Sequence, residues 1–189
     1  MAANRQMEIA LAAVKLFERK GYHATSVQDI ADEVGLQKGS LYHYIHSKED
    51  LLLQIAHQAI TDFNDRLEAI LASNLPAKEK LIQAVENHLT VSTANIETTT
   101  VLLREAFSLG ENQHQVIQDL TDRYVDLWAA ILNEGKANGE FHVEQPKIAA
   151  LAILGACNWV YRWYRTSGKL GAKEISRIFS AVFLDGLLA

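Results

Sequence analysis

A segment near the N-terminus, residues 34–48, carries several hydrogen-bond donors and no acidic side chain. Its donor residues are Gln37, Lys38, Ser40, His43 and Tyr44. Gly39 lies among them and leaves the backbone uncovered. A solvated helix face could carry any mixture of charges, whereas an acid-free face rich in donors suits an anionic partner. The phosphates and base acceptors of the DNA major groove form such a partner, so the segment predicts contact with duplex DNA.

The residues before and within this segment predict two short helices that would position it. Ser26, followed three residues later by Asp29, is a capping-box-like start with Asp in place of the usual Glu or Gln. That helix is expected to end at Gly35, where the turn often requires a positive φ, and the small Ala31 lets a second helix approach. The second helix is expected from about Lys38 to Ile45. The inward-facing residues of this helix-turn-helix are Ile30, Val34, Leu36, Leu41 and Ile45.

The rest of the chain also has helical periodicity, and no segment alternates convincingly with period two. The residues that define the buried face of a first helix are Ile9, Ala13, Leu16 and Phe17. Long helices are expected over residues 48–72, from 76 onward, and over 113–136, 146–167 and 172–188. We predict an all-α fold of about nine helices. Residues 1–47 would form a three-helix helix-turn-helix domain, and residues 48–189 a helical ligand-binding and dimerisation domain.

The composition is that of a globular protein, with 49% hydrophobic and 22% charged residues in a chain of 189. The single cysteine, Cys157, excludes an intramolecular disulfide and fits a reducing cytoplasm. The longest apolar stretch, residues 148–157, is far shorter than the roughly 18 residues that span a bilayer, so we expect a cytoplasmic protein. The net charge is −5, and residues 1–50 hold six basic and seven acidic side chains. DNA affinity would therefore come from the placement of charges.

The helix-turn-helix segment resembles the N-terminal domain of the TetR family of regulators. That family's pattern is roughly a threonine, a short helix, a glycine, then Lys/Ser-Gly-Ser/Thr-Leu-Tyr-x-Tyr/His-Phe-x-x-Lys-x-x-Leu. From Lys38 to Leu51 this chain reads Lys-Gly-Ser-Leu-Tyr-His-Tyr-Ile-His-Ser-Lys-Glu-Asp-Leu. Ile45 stands where Phe is commoner, a conservative change at a core position. The resemblance covers residues from about 5 to 55.

The resemblance implies a set of DNA contacts. Thr25 and Lys48 would hold phosphates on either side of the groove, and the Tyr42 hydroxyl would donate to a phosphate. Gln28, on the first helix of the motif, would touch a base edge. The residues that would approach bases or nearby phosphates are Lys38, Gly39, Ser40, His43 and Tyr44. The alternatives are partial core packing for the two tyrosines and solvated surface for the two lysines.

Two apolar helical stripes near the C-terminus predict a homodimer. One domain cannot easily bury both stripes, whereas two copies that form a four-helix interface can. The residues expected at this interface are Ala152, Ala156, Trp159, Trp163, Ile175, Phe179, Val182 and Phe183. The competing interpretation places both stripes in the internal core. A two-fold dimer would also match a palindromic operator whose half-sites lie about 34 Å apart.

A second resemblance concerns the segment from Asn158 to Gly168, which reads Asn-Trp-x-x-x-Trp-Tyr-Arg-x-x-Gly. It is similar to the C-terminal region of TetR-type repressors that respond to acyl-CoA esters and control fatty-acid, sterol or aromatic-acid catabolism. Such a ligand would need an apolar tunnel and cations for its phosphates. The residues expected in the tunnel are Leu67, Leu89, Leu103, Phe107, Tyr124 and Trp128. Arg104, Arg162 and Arg165 would meet phosphates, and Asn158 is a further predicted ligand contact.

The sequence contains no nucleophile–base pair, phosphate-binding glycine loop or metal-ligand pattern, so we expect neither an enzyme nor a metal or cofactor site. The histidine pair His43 and His46 lies on the predicted groove-reading helix, and the other histidines are scattered. The combined prediction is a repressor released from a palindromic operator by an acyl-CoA ester. The alternatives are a repressor of an efflux or detoxification gene that responds to a hydrophobic drug-like ligand, and a helical dimer that binds no DNA.

Overall fold

The computed structural model describes residues 2–105 and 108–187, and every regular element within those ranges is helical. The all-α prediction is confirmed. The ten helical segments of these ranges are α1 (Ala2–Lys20), α2 (Val27–Glu33), α3 (Lys38–Leu41), α4 (Lys48–Leu71), α5 (Ala77–Ala94), α6 (Ile96–Glu105), α7 (Glu111–Ala137), α8 (Pro146–Asn158), α9 (Val160–Trp163) and α10 (Ala172–Leu187). None of these helices is long and apolar enough to cross a membrane.

The chain forms two compact units. The first unit contains Met1–Ala59 and Glu97–Gln118, and the second contains Ile60–Ile96 and Asp119–Ala189. Helices α4 and α7 each contribute residues to both units. Because this division groups segments by packing and not by independent folding, the predicted domain limits of 1–47 and 48–189 remain a prediction.

The first unit is built around the apolar face of α1. Four side chains of α1 that the 3.6-residue periodicity places on one face are fully buried: Ile9, Ala13, Leu16 and Phe17. Ile30 and Leu41, from the two helices of the motif, are also fully buried in this unit. Helix α1 ends at Gly21, whose φ of 87° suits only glycine and whose N–H donates to the Phe17 carbonyl over 2.9 Å. The predicted three-helix motif therefore forms as expected.

The second unit has a continuous apolar core contributed by α4, α5, α7, α8 and α10. Its largest fully buried side chain is Trp128 of α7. Helix α7 ends in a Schellman motif: the Glu140 N–H donates to the Gly135 carbonyl over 2.8 Å, and Gly139, at a φ of 73°, donates to the Lys136 carbonyl over 3.2 Å. This reversal folds Phe141 back against the last turn of α7.

The contact between Gly135 and Phe141 gives a direct test of this packing. A Cβ at Gly135 would lie 2.2 Å from Phe141 Cδ2, so Gly135→Ala should lower the free energy of unfolding by about 2 kcal/mol despite the better helix propensity of alanine. Urea unfolding measures the change. The control is the same substitution in a Phe141→Ala background, where the collision is absent and alanine should be neutral or stabilising. Equal losses in both backgrounds would contradict this account.

The C-terminal helices break earlier than the sequence predicts. The helix expected over residues 146–167 ends at Asn158, and a single turn, α9, follows after Trp159. Tyr164 then takes an extended conformation with a ψ of 138°, and the Gly168 N–H closes a tight turn onto the Arg165 carbonyl over 2.8 Å. The chain therefore leaves the helical path three residues before the predicted end.

Candidate functional sites

The start of α2 is fixed by a complete capping box, as predicted. The Asp29 N–H donates to Ser26 Oγ over 3.1 Å, and the Ser26 N–H donates to Asp29 Oδ2 over 2.8 Å. Lys20 Nζ donates to the other carboxylate oxygen over 2.8 Å. The hydrogen bonds from Lys20 and then Ser26 hold the pKa of Asp29 far below its usual range. Helix α2 therefore begins at one defined residue.

The turn after α2 sets the direction of α3. Gly35 has a φ of 65°, the Leu36 N–H donates to the Ala31 carbonyl over 2.8 Å, and the Gly35 N–H donates to the Asp32 carbonyl over 3.1 Å. These bonds form a Schellman motif, which requires a residue that tolerates positive φ. Ala31 is fully buried beside the turn. The sequence prediction for Gly35 is thus confirmed by its backbone conformation.

Helix α3 is shorter than predicted. Regular helix covers only Lys38–Leu41, and residues 42–44 continue as turns in which the His43 N–H donates to the Ser40 carbonyl and the Tyr44 N–H donates to the Leu41 carbonyl. Leu41 and Ile45 are buried, so they fix the inner side of this segment. The predicted outward-facing side of residues 37–44 is kept, because these turns continue a nearly helical path.

The outer side of this segment carries most of the residues predicted to contact DNA. The exposed ones are Gln28, Lys38, Gly39, Tyr42 and His43, and the half-buried ones are Ser40 and Tyr44. The Gln28 side-chain amide donates to Asp32 over 2.7 Å, which leaves its carbonyl oxygen available. The segment from residue 34 to 48 thus presents donors to the surface with no acid of its own.

Thr25 and Lys48 lie differently from the prediction that they hold phosphates. Thr25 is buried, and its hydroxyl donates to the Gly21 carbonyl over 2.8 Å. The half-buried Lys48 donates from Nζ to the carbonyls of Tyr22 and Thr25, each over 2.7 Å, and lies 4.3 Å from the centre of the Tyr22 ring. Burial lowers the pKa of Lys48, opposed by the charge of Glu105. Both groups are therefore occupied within the chain and brace the segment that precedes α2.

Glu49, which follows Lys48 in α4, binds the backbone ahead of α7. Glu49 Oε1 accepts a hydrogen bond from the Gly110 N–H over 2.8 Å. Two residues earlier in the connection between α6 and α7, the Ser108 hydroxyl lies 3.2 Å from Nε2 of His23. The first turn of α4 therefore bonds both the segment before α2 and the connection before α7, all within the first unit.

The residues predicted to contact an effector are divided between the units. Leu67, Leu89, Tyr124 and Trp128 lie together in the buried core cluster of the second unit. Asn158 is half-buried in the same unit, and Arg162 and Arg165 are exposed there. Leu103 and Arg104 belong to the first unit. Phe107 lies outside the described residues. Four of the predicted tunnel residues thus pack in one buried cluster of the second unit, whereas Leu103 and Arg104 are assigned to the first unit.

A buried polar group that the sequence prediction missed lies beside the tunnel residues. His88 is buried on α5, with Nδ1 3.0 Å from the Tyr124 hydroxyl oxygen. Its ring centre lies 5.2 Å from that of Phe63 and 6.2 Å from that of Trp128. Burial lowers the pKa of His88 to about 4, and a smaller hydrogen-bonding effect of the Asn158 side chain acts in the opposite direction on that pKa. Its position beside Leu81, Val85 and Leu89 on the apolar face of α5 was the available signal.

The predicted dimer stripes are partly exposed in the single chain. The exposed large apolar residues on α8 to α10 and the loop between them are Ile148, Leu151, Trp159, Trp163, Leu170, Ile178 and Val182. Ala152 is exposed, Ala156 is half-buried, and the half-buried rings of Phe179 and Phe183 pack edge to face 5.8 Å apart. Ile175 is a correction: it is 3% exposed and belongs to the core of the second unit.

Two family models of known proteins match this chain. Residues 9–55 match the family model for bacterial regulatory proteins of the tetR family, and residues 74–187 match the C-terminal domain model for tetracyclin repressor-like proteins. The chain is similar to the transcriptional repressor KstR2 of Mycolicibacterium smegmatis, at 30% identity over 98% of this chain and 91% of that protein. It is also similar to the fatty acid metabolism regulator protein of Bacillus subtilis, at 29% identity over 97% and 95%.

The fold agrees with a solved structure. The ketosteroid transcriptional regulator KstR2 of Mycobacterium tuberculosis superimposes with a TM-score of 0.90 at 26% identity, over 98% of this chain and 95% of that chain. Residues 37–44 and helices α8 to α10 lie within the regions that the two family models match.

Proposed function

The chain belongs to the TetR family of bacterial regulatory proteins, and we propose that its homodimer represses transcription at a palindromic operator and is released by an acyl-CoA ester. The observation that carries the DNA-binding part is the exposed, acid-free donor face over residues 37–44, held by the Gly35 turn and the buried Leu41. Such a protein acts at the chromosome in the cytoplasm and needs no catalytic chemistry of its own.

The DNA contacts would come from the exposed side of α3 and the turns after it. Lys38 would bind a phosphate or a guanine edge, His43 a base edge, and Tyr42 a phosphate through its hydroxyl. Gly39 allows the backbone to approach the DNA closely because it has no side chain. Gln28 of α2, Ser40 and Tyr44 would complete the contact surface. Thr25 and Lys48 would act indirectly by holding the segment that positions α2.

The homodimer would form through α8 and α10. Ile178 and Val182 of α10, and Trp159 directly after α8, are more than half exposed in the single chain. Large apolar patches of this kind mark interaction surfaces, and a symmetric pair buries the same patch twice. A second copy is the occupant that a palindromic operator requires, because its two half-sites need two reading segments.

The proposed effector combines an apolar chain with an anionic nucleotide. Supporting the apolar part, Leu67, Leu89 and Trp128 form a buried group in the second unit. Supporting the anionic part, Arg162 and Arg165 are exposed, and the Arg162 guanidinium lies 5.7 Å from the centre of the Trp159 ring. The relatives named for fatty acid metabolism and for ketosteroid regulation also favour an acyl-type effector.

The DNA-binding proposal is tested on an operator selected from random DNA. We expect the double variant Lys38→Ala with His43→Ala to lose about 100-fold in affinity, since each base contact is worth about 1–3 kcal/mol. The salt slope of binding should fall by about two, because the homodimer loses one phosphate contact in each half-site. The control is Lys78→Ala, an exposed lysine of α5 that should leave both values unchanged. Wild-type affinity and salt dependence in the double variant would refute the proposal.

The effector proposal is tested by titrating the operator complex with ligands. Release by octanoyl-CoA, but not by octanoic acid or CoA alone, is the expected result. Arg162→Ala and Arg165→Ala should each raise the concentration of octanoyl-CoA required for release without changing operator affinity. Release by a hydrophobic drug-like cation such as ethidium, with no response to the CoA ester, would instead support the efflux-type alternative.

A further inference from the structure

The hydrogen-bonding state of His88 points to a ligand. Among the described residues, Nε2 of His88 has no hydrogen-bond partner, although the side chain is 4% exposed. Buried polar atoms are nearly always paired, because an unpaired one loses its bonds to water without replacement. An unpaired ring nitrogen in the core of the second unit therefore marks a place where another polar group binds.

The neighbours of His88 indicate which proton its ring carries. The Tyr124 hydroxyl has one proton to donate, and its oxygen lies 3.0 Å from His88 Nδ1. If Nδ1 carried the ring proton, the Tyr124 O–H would lose this acceptor and Nε2 would still be unpaired, so the arrangement that pairs more buried groups has Tyr124 donating to Nδ1. Burial keeps the ring neutral, so its one proton is on Nε2. The Nε2–H of His88 is then a buried donor with no hydrogen-bond partner among the described residues.

We infer that the Nε2–H of His88 donates to a carbonyl oxygen of the effector, so that the second unit selects carbonyl compounds over plain hydrocarbons. This inference rests on the proposed effector-binding function. The half-buried Asn158 side chain at the end of α8 interacts with the ring, so it would share or give up that interaction when a ligand oxygen binds Nε2. The apolar surroundings of Phe63, Leu89 and Trp128 make a bond to that oxygen stronger than it would be in water.

The oxygen could belong to the thioester itself or to a ketone farther along the chain, and matched probes separate these sources. Calorimetry would compare octanoyl-CoA, the thioether S-octyl-CoA and 7-oxo-octanoyl-CoA. If the thioester oxygen is bound, octanoyl-CoA should bind about 10–100-fold more tightly than the thioether. If a chain ketone is bound, the oxo compound should exceed octanoyl-CoA by a similar factor.

His88 variants test the assignment to this residue. His88→Phe should abolish whichever preference is observed, and His88→Gln, whose amide nitrogen can occupy the place of Nε2, should restore part of it. His88→Phe removes the unpaired Nε2 but also the acceptor of the Tyr124 hydroxyl, so its melting temperature is compared with that of the double variant His88→Phe with Tyr124→Phe, which leaves neither group unpaired and should be the more stable of the two. The control His57→Phe changes an exposed histidine of α4 and should leave the preference unchanged. A lower melting temperature with an unchanged preference would mean that His88 is structural.

A measurement without CoA keeps this inference separate from the acyl-CoA proposal. Imidazole ¹⁵N spectra of the whole protein report which ring nitrogen is protonated and whether 2-octanone shifts the Nε2 signal more than octane does. A shift with 2-octanone, but no binding of any CoA probe, would reject the acyl-CoA effector and retain carbonyl recognition. Protonation at Nδ1, or equal spectra with the ketone and the hydrocarbon, would overturn the inference.

Discussion

Val182→Asp is expected to convert the proposed homodimer into monomers and to lower operator affinity by at least about 100-fold. The Val182 side chain is 63% exposed in the single chain and lies on the apolar face of α10 beside Ile178. In a symmetric interface the substitution occurs twice, so two carboxylates would be buried without partners, at a cost of several kcal/mol. A monomer reads one half-site, which removes most of the affinity for a palindrome.

Sedimentation velocity and operator binding measure this effect together. The control is Arg177→Glu, which adds a carboxylate to the same helix at an exposed position about 140° around its axis from Val182. The control should remain dimeric and retain operator affinity. A dimeric Val182→Asp variant with unchanged affinity would place the interface elsewhere on the chain.

Acidification from pH 7 to pH 4 is expected to remove roughly 3 kcal/mol of stability through His88 alone. The pKa of His88 in the folded chain is about 4, and an unfolded histidine has its ordinary pKa of 6.5. Between these values the unfolded chain binds a proton that the folded chain does not, so stability rises with pH in this window. The stability that neutral His88 supplies is complete above the unfolded pKa. It is lost at about 1.4 kcal/mol per pH unit as the pH falls toward the pKa of the folded chain.

Urea unfolding of wild type and His88→Gln at several pH values isolates this contribution. Asp29 and Glu140 also have lowered pKa values, and the stability that they supply likewise falls on acidification. The informative quantity is therefore the difference in slope between the two proteins. The glutamine variant should lose less stability between pH 6.5 and pH 4. Parallel curves would show that His88 is protonated in the folded protein.

The features that the sequence predicted well are local. The Ser26–Asp29 capping box and the Gly35 turn depend on residues within three or four positions of each other, and their geometry follows from side-chain length and backbone freedom. The donor face of α3 was also predictable, since buried Leu41 and Ile45 leave the remaining residues outside.

The features that the sequence did not predict depend on distant segments. The amine of Lys48 turns inward because the carbonyls of Tyr22 and Thr25, more than twenty residues away, lie within its reach. Ile175 and Val182 lie on the same apolar stripe, yet only the packing of other helices buries the first and leaves the second exposed. The unpaired Nε2 of His88 likewise results from the convergence of α4, α5 and α7.

Lys48 and Glu49, the first two residues of α4, attach this helix to two other segments of the first unit. Lys48 is tied to the carbonyls before α2, and Glu49 is tied to the backbone ahead of α7. A rotation of α4 about its axis would lengthen the hydrogen bonds of both residues at once. Their donor–acceptor distances are 2.7–2.8 Å, so even a small rotation would weaken them. A displacement of the Gly110 backbone would therefore be transmitted through Glu49 and Lys48 to the carbonyls of Tyr22 and Thr25, which precede α2.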